Sequence, residues 1–293
     1  MRPPPAARLL AIRILRDDEA RQMRTIPNVL TIAGTDPTGG AGIQADLKAF
    51  SAHGAYGMSV ITAVVAQNTR GVRGFVPLEA GFVADQLAAV CEDVRVDAVK
   101  IGMVADAAIA EAVAHALDAY PHGPVVLDPV MVAKSGHHLL EPDAVDAVRE
   151  LLIPRSTIIT PNLPEAAVLL GSGGEAQSIE EMRRLVPDLR ALGPAWVLLK
   201  GGHLGGADST DILDGETRVE LTAARVSTVN DHGTGCTLSA TIAALLPRHD
   251  LVTSVQRAKD YLTAALQHAD ELDVGSGHGP VHHFHELWAD PQR

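Results

Sequence analysis

The stretch Asn28-Val-Leu-Thr-Ile-Ala-Gly-Thr-Asp-Pro-Thr-Gly-Gly-Ala-Gly-Ile-Gln-Ala-Asp-Leu-Lys-Ala-Phe50 changes character twice. Residues 29–33 form a short apolar run rich in β-branched side chains, the pattern of a buried strand. Residues 34–42 are polar and glycine-rich. Ile43, Leu47 and Phe50 then recur at helical spacing and give one apolar stripe. Strand, loop and one-sided helix is the unit from which a parallel sheet covered by helices is built. The same strand character returns at residues 60–66, Ala98–Ile101, Val125–Leu127, residues 157–160 and Trp196–Leu199. Helical stripes follow at Val83, Leu87 and Val90, at Ile109, Val113 and Leu117, at Leu238, Ile242 and Leu245, and at Val255, Leu262 and Leu266. The predicted class is α/β: a mostly parallel central sheet with helices on both faces. One domain is expected, because no repeat, linker or composition shift interrupts the interior. Ser178 and Glu181 make a capping box for a further helix, which Pro187 is expected to kink or end after about two turns. Regular structure is expected to stop at the glycine-rich segment 275–279.

The 293 residues are 46% hydrophobic and 20% charged, enough apolar content for a sizeable core and too little charge for a disordered chain. With 24 Lys and Arg against 36 Asp and Glu, the formal charge is -12. That balance argues against a nucleic-acid partner, since phosphate-backbone binding needs a cationic surface. The apolar runs fall short of the roughly 18 residues of a membrane span, so no membrane association is expected. Cys91 and Cys236 are too few for a disulfide framework, which fits a cytoplasmic location. Cys91, on the Leu87 helix, reads as core. Residues 1–24 stand apart: six arginines against Asp17, Asp18 and Glu19 give +3, leaving -15 for the rest. Their apolar patch is broken by Arg13 and lacks a cleavage site, so a secretory signal is a poor reading. They are expected to be a disordered extension or sequence upstream of a true start at Met23, with residues 25–293 forming the folded domain.

Ligands of an open parallel sheet bind beyond the carboxyl ends of its strands. The candidates are therefore Gly34-Thr35-Asp36, Gln67-Asn68, Gly102-Met103, Asp128-Pro129, Pro161-Asn162 and Lys200-Gly201-Gly202-His203. Gly40, Gly42 and Ala45 fit a dinucleotide fingerprint, but the acid required about 20 residues later is missing. Gly34 and Gly39 fit the start of a P-loop, but Gly40-Ala41 replaces its Lys-Ser/Thr pair. Gly39, Gly40 and Gly42 are left as a loop that lets the backbone approach a ligand closely. Gly233-Thr234-Gly235-Cys236 precedes the Leu238 helix, so its amides suit an anion at the positive helix end. The same dipole is expected to lower the Cys236 thiol pKa and make it a base or nucleophile, the alternative being a small buried cap residue. Asp128, Asn162 and Glu165 suit oxygen ligation of hydrated magnesium and, through it, of a polyphosphate. His282, His283 and His285 read as a solvated C-terminal segment or capped strand rather than a metal site. Serine hydrolysis lacks any G-x-S-x-G.

Together Ala33-Gly-Thr-Asp-Pro-Thr-Gly-Gly-Ala-Gly-Ile-Gln-Ala-Asp46, Ala66-Gln-Asn-Thr69, Lys100-Ile-Gly-Met103, Thr160-Pro-Asn-Leu-Pro-Glu165, Lys200-Gly-Gly-His203 and His232-Gly-Thr-Gly-Cys236 closely resemble the ThiD-type hydroxymethylpyrimidine and phosphomethylpyrimidine kinases. The resemblance runs from about Asn28 to His285. It implies a ribokinase-like three-layer sandwich, often dimeric, that makes the pyrimidine diphosphate precursor of thiamine by two ATP-dependent phosphorylations. It further implies that Gln67 hydrogen-bonds the aminopyrimidine, with Gly34, Asp46 and Met103 around the ring. Asn162 and Glu165 would organise Mg2+, with Asp128 helping through water and Lys200 neutralising phosphate charge. The amides of Gly233, Thr234, Gly235 and Cys236 would hold the transferring phosphoryl group, and Cys236 would stand where many ribokinase relatives carry an Asp base. The rival readings are a pyridoxal kinase on the same scaffold, which Gln67 with Met103 disfavours, and a non-catalytic ligand sensor, which Cys236 beside intact glycines disfavours. Residues 133–136 are the expected lid.

Overall fold

The structure, a computed structural model, describes residues 26–131 and 142–288. The extension expected at residues 1–24 and the lid expected at residues 133–136 lie outside the described residues. The chain runs through β1 (Asn28–Ala33), α1 (Gly42–Ala52), β2 (Tyr56–Ile61), β3 (Ala63–Asn68), β4 (Gly71–Pro77), α2 (Ala80–Cys91), β5 (Ala98–Ile101) and α3 (Ala107–Ala119). It continues through β6 (Val125–Leu127), α4 (Pro142–Ala147), β7 (Ile158–Ile159), α5 (Leu163–Leu170), α6 (Ile179–Ala191), β8 (Trp196–Leu199), β9 (Asp208–Asp214), β10 (Arg218–Ala224), α7 (Thr234–Leu245) and α8 (Leu251–Gln267). The main sheet has the order β10-β9-β8-β7-β6-β5-β1-β2. Its strands from β2 to β8 are parallel, and β9 and β10 close the edge antiparallel.

Strand alternation divides the interior into two layers. Leu30, Ile32, Val99, Ile101, Val125 and Leu127 enter a core shared with α2, α3, α5 and α6. Val29, Ala98, Val126, Ile158 and Leu198 enter the opposite one, against Phe50 of α1, Leu238 and Ile242 of α7 and Val255 of α8. This is the predicted sandwich. Each fully buried large apolar side chain contributes about 1.5–3 kcal/mol, so both layers are needed to hold the sheet. Among the described residues no helix is long and apolar enough to cross a membrane.

Four sequence expectations are corrected. Residues 60–66 are not one strand: the chain leaves the sheet at buried Thr62, whose amide bonds Ala33 and whose hydroxyl bonds Met103 O at 2.6 Å. The remainder becomes β3, paired antiparallel with β4 in a separate hairpin. Apolar alternation does not reveal which sheet a strand joins. α6 does not end at Pro187 but runs on to Ala191, because Met182, Val186 and Leu189, all buried, hold both sides of the proline on the core. Only half of its expected capping box forms: Ser178 Oγ accepts from Glu181, but the Glu181 carboxylate turns to Gln177 N. His282, His283 and His285 are not solvated either. They are buried behind α8, where the Tyr261 hydroxyl donates to His283 O.

Candidate active site

The carboxyl ends of β1, β5, β6, β7 and β8 deliver a polar cluster on a buried floor. Lys100, inside β5, is fully buried and pairs with Asp46 of α1 at 2.9 Å, while Thr31 donates to the same carboxylate oxygen at 2.6 Å. The other Asp46 oxygen is buried without a partner. Burial disfavours the Lys100 cation, yet Asp46, Cys236 and Asp128 together raise its pKa above the ordinary value. Lys100 thus places a permanent positive charge under the site. Asp46 therefore does not line the ring pocket as the resemblance implied. It lies one layer beneath, where burial raises its carboxyl pKa and Lys100 and Thr31 work against that rise.

Lys200, just after β8, spans Asp128 at 3.0 Å and Glu165 at 3.9 Å. Thr160 and Ser239 also donate to Asp128, at 3.0 and 3.3 Å. Desolvation opposes the Asp128 charge, but Lys200 and Lys100 hold its pKa below the usual carboxylate value. Glu165 goes the other way: burial and the Asp128 charge outweigh Lys200 and push it up to about 7. Its position is fixed by a complete capping box at the start of α5, Asn162 Oδ1 accepting from Glu165 N and Glu165 accepting from Asn162 N. The motif that suggested metal ligation is thus also a helix start.

α7 begins directly above this cluster. A Cβ on Gly235 would lie 3.3 Å from Lys200 Nζ and 3.4 Å from an Asp128 oxygen. Among the described residues nothing accepts a hydrogen bond from the amides of Thr234, Gly235 or Cys236, which leaves three donors at the positive end of a twelve-residue helix. The thiol of Cys236 departs from expectation. Burial pushes it up to about 11, aided by Asp46 and Asp128, and Lys100 only partly offsets this. Desolvation disfavours the thiolate more than Lys100 and the Gly42 amide favour it.

Two cavities meet at Lys200 and the start of α7. The first, about 490 Å3, is lined by Gly34, Gln67, Met103, Lys100 and Cys236, and reaches Asp128, Asn162, Glu165 and residues 233–235. It therefore unites every predicted site residue except Asp46. Gln67 enters from β3 at a register irregularity between Ala66 and Gln67. The second, about 320 Å3, shares Asn162, Lys200, Thr234 and Gly235, and its far end is walled by Val226, Leu238, Leu262 and Leu266. One end suits phosphates and the other an apolar ring face. Leu262 and Leu266, on the predicted helical stripe of α8, are half-buried and form part of this wall.

The first glycine loop is held mainly by the chain itself. Its amides are taken by Asp36, which accepts from Thr38, Gly40 and Ala41 and from His232 Nε2 at 2.8 Å. Desolvation opposes the Asp36 charge, but these bonds, led by His232, hold its carboxyl far below the usual range. A Cβ on Gly40 would meet the His232 ring at 2.6 Å, and one on Gly42 would overlap Gly34 O. Gly40 admits the His232 ring, and Gly42 admits Gly34 O while itself bordering the first cavity. Asp36 and Lys100 received no role from the sequence, although Asp36 two residues before Thr38 is a turn signal.

A family model described as phosphomethylpyrimidine kinase matches residues 36–282. Over 265 residues the chain is 57% identical to the hydroxymethylpyrimidine/phosphomethylpyrimidine kinase of Escherichia coli (strain K12), covering 89% of this chain and 98% of that one. A solved phosphomethylpyrimidine kinase from Clostridium difficile 630 superposes with a TM-score of 0.72 at 43% identity, over 82% of this chain and 99% of the other. The ADP complex of Bacillus subtilis pyridoxal kinase gives a TM-score of 0.81 at 36% identity, over 89% and 98%. The sheet order, the polar floor and these matches agree, and the chain belongs to the phosphomethylpyrimidine kinase family.

Proposed function

We propose that this chain transfers the γ-phosphoryl group of ATP to the hydroxymethyl group of 4-amino-5-hydroxymethyl-2-methylpyrimidine, and then to the resulting monophosphate, in thiamine biosynthesis. The observation that carries this reading is the meeting of the two cavities at Lys200 and at three amides of α7 that have no acceptor among the described residues. A phosphoryl group leaving one cavity for the other passes a lysine and a helix N-terminus, which is where such a transition state needs positive charge. The names of the kinases from E. coli and C. difficile support the pyrimidine acceptor.

In this reading Gln67, with one amide donor and one acceptor, orients the aminopyrimidine, and Gly34 and Met103 flank the ring. Lys200 and Asn162 face the ATP phosphates. The donor set fits hydrated Mg2+: two carboxylates, Glu165 and Asp128, adjoin the phosphate end, and burial has left Glu165 short of positive charge. Two protein carboxylates plus water and phosphate oxygens are a common magnesium set. When bound, the ion would neutralise charge on the polyphosphate. Cys236 takes the proton of the hydroxymethyl group in the first transfer, whereas the second acceptor is already ionised. Residues 25–293 are read as the kinase domain, cytoplasmic and homodimeric. The cross-strand pair Val64 and Val76, 52% and 66% exposed, gives a dimer an apolar surface to bury.

The test offers ATP and magnesium with hydroxymethylpyrimidine, its monophosphate or pyridoxal, and identifies products by mass spectrometry. Sequential mono- and diphosphate formation is expected. Pyridoxal phosphate as sole product would move the chain to the pyridoxal kinases and end the role given to Gln67. Binding without any product would favour the sensor.

A further inference from the structure

The segment after α8 reaches more of the site than its composition suggests. Gly277 N donates to Thr69 Oγ1 at 3.2 Å and His278 N to Thr69 O at 2.8 Å. Thr69 directly follows β3, which carries Gln67. Two residues on, Gly279 O accepts from His232 N at 3.0 Å, Gly279 N donates to Asn230, and Pro280 forms a parallel bridge with His232. His283 Nε2 then bonds Thr237 Oγ1 of the first turn of α7 at 3.0 Å, with both side chains buried. Thr237 N closes that turn on Gly233 O at 2.8 Å. The Tyr261 hydroxyl anchors the same stretch to α8. Within seven residues one chain segment thus holds the hairpin of one cavity and the loop that joins both, yet none of residues 275–285 lines either cavity.

We propose that residues 277–283 are a positioning strap, fixing the Gln67 hairpin and the Gly233–Cys236 loop in one register so that acceptor recognition and phosphoryl transfer are geometrically coupled. The proposal rests on the functional reading above. Thr69, Thr237 and His283 are its positioning residues. They act through Gln67 and through the amides of α7. The joint is tight: a Cβ on Gly277 would overlap Thr69 O, so the hairpin and strap cannot slide without breaking both hydrogen bonds. A segment that only covered a core would leave the two ends independent, whereas a strap makes damage at one end felt at the other.

The test is a double-mutant cycle on the full chain, with Thr69→Val and Thr237→Val made singly and together. At saturating acceptor, Thr69→Val is expected to lower kcat about ten- to a hundredfold even though Thr69 touches no phosphate-site group, because small misplacements far from the chemistry have effects of this size. Thr237→Val is expected to raise the acceptor KM as well as lower kcat. The double variant should be little worse than the worse single one, and serine at either position should restore the rate by restoring the hydroxyl. Multiplicative losses, or a Thr69→Val effect confined to acceptor KM, would overturn the strap. If a valine variant does not fold, Gly277→Ala paired with His283→Gln gives the same cycle with the same two readings. A wild-type chain that phosphorylates neither pyrimidine would sink the functional reading and the strap with it, whereas an active wild type with multiplicative variants sinks the strap alone.

Discussion

Gly39-Gly40-Ala41-Gly42 and Gly233-Thr234-Gly235 both lead into helices, α1 and α7, and either could be taken for a phosphate turn. At the first, Asp36 and Gly34 O consume the amides at the start of α1, and the glycines lie against Lys48, His232 and Gly34. At the second, Gly233 packs on Gly40 O, but the nearest atoms around Gly235 are the polar side-chain atoms of Lys200 and Asp128, and three amides have no acceptor among the described residues. Glycine spelling reports close approach without saying to what. An anion site needs amides that the chain itself has not already used. The first turn therefore serves the second: its Gly40 receives His232 and Gly233, and its Asp36 fixes His232.

The largest effect expected within the second turn is on Cys236. Cys236→Ala should slow phosphorylation of the alcohol about 10²–10⁴-fold, the range of a lost general base, with a much smaller loss for the monophosphate. Equal losses in both steps would remove the base assignment. Because burial pushes the thiol up to about 11, the wild-type alcohol step should accelerate as pH rises from 7 to 9, while the monophosphate step should not follow that rise. Gly233→Ala comes next. Gly233 has φ +77° and its Cβ would overlap Gly40 O, so both transfers should fall about 10²–10³-fold as the amides shift. Retention of either rate would separate the turn from the phosphoryl group.

Gly39→Ala sharpens the contrast from the other side. Its φ of +79° strains alanine, but the added Cβ meets only the flexible end of Lys48. Unfolding in denaturant should show about 1–3 kcal/mol lost, with kcat unchanged. A lower kcat at unchanged stability would return the first loop to a direct ligand role. The smallest effect concerns Glu165. Its folded pKa is raised to about 7, so its contribution to stability is fully present below its ordinary pKa of 4.5 and is lost as pH rises through about 7. Magnesium bound there should relieve the loss. Added Mg2+ is expected to raise the melting temperature roughly 2–4 °C more at pH 8 than at pH 5, a difference of about 1 kcal/mol. Equal shifts at both pH values would dissociate the ion from Glu165.

The strand-end loops were legible because a parallel sheet puts all its useful termini on one edge, so Asp128, Asn162, Glu165 and Lys200 needed only the correct strands to be found. Gln67 was legible as a residue but not as a place. Reading residues 60–66 as one strand puts it on the sheet, whereas it reaches the site from a hairpin. Asp46 and Lys100 sit in motifs that the resemblance flagged, yet their burial beneath the pocket has no local signal, since each is hidden by elements remote in sequence. The three C-terminal histidines looked solvated because polar composition says nothing about a strap drawn under α8.

From the sequence alone came the α/β class, the helix and strand stripes and most of the residues at the site, because side-chain period is a property of the local backbone. Tertiary structure decided which amides stay open, which carboxylate is a floor and which a rim, and whether the thiol is easier or harder to ionise. Those outcomes depend on desolvation and on charge pairs such as Asp46 with Lys100 and Asp128 with Lys200, which lie 54 and 72 residues apart and meet only when the sheet is assembled.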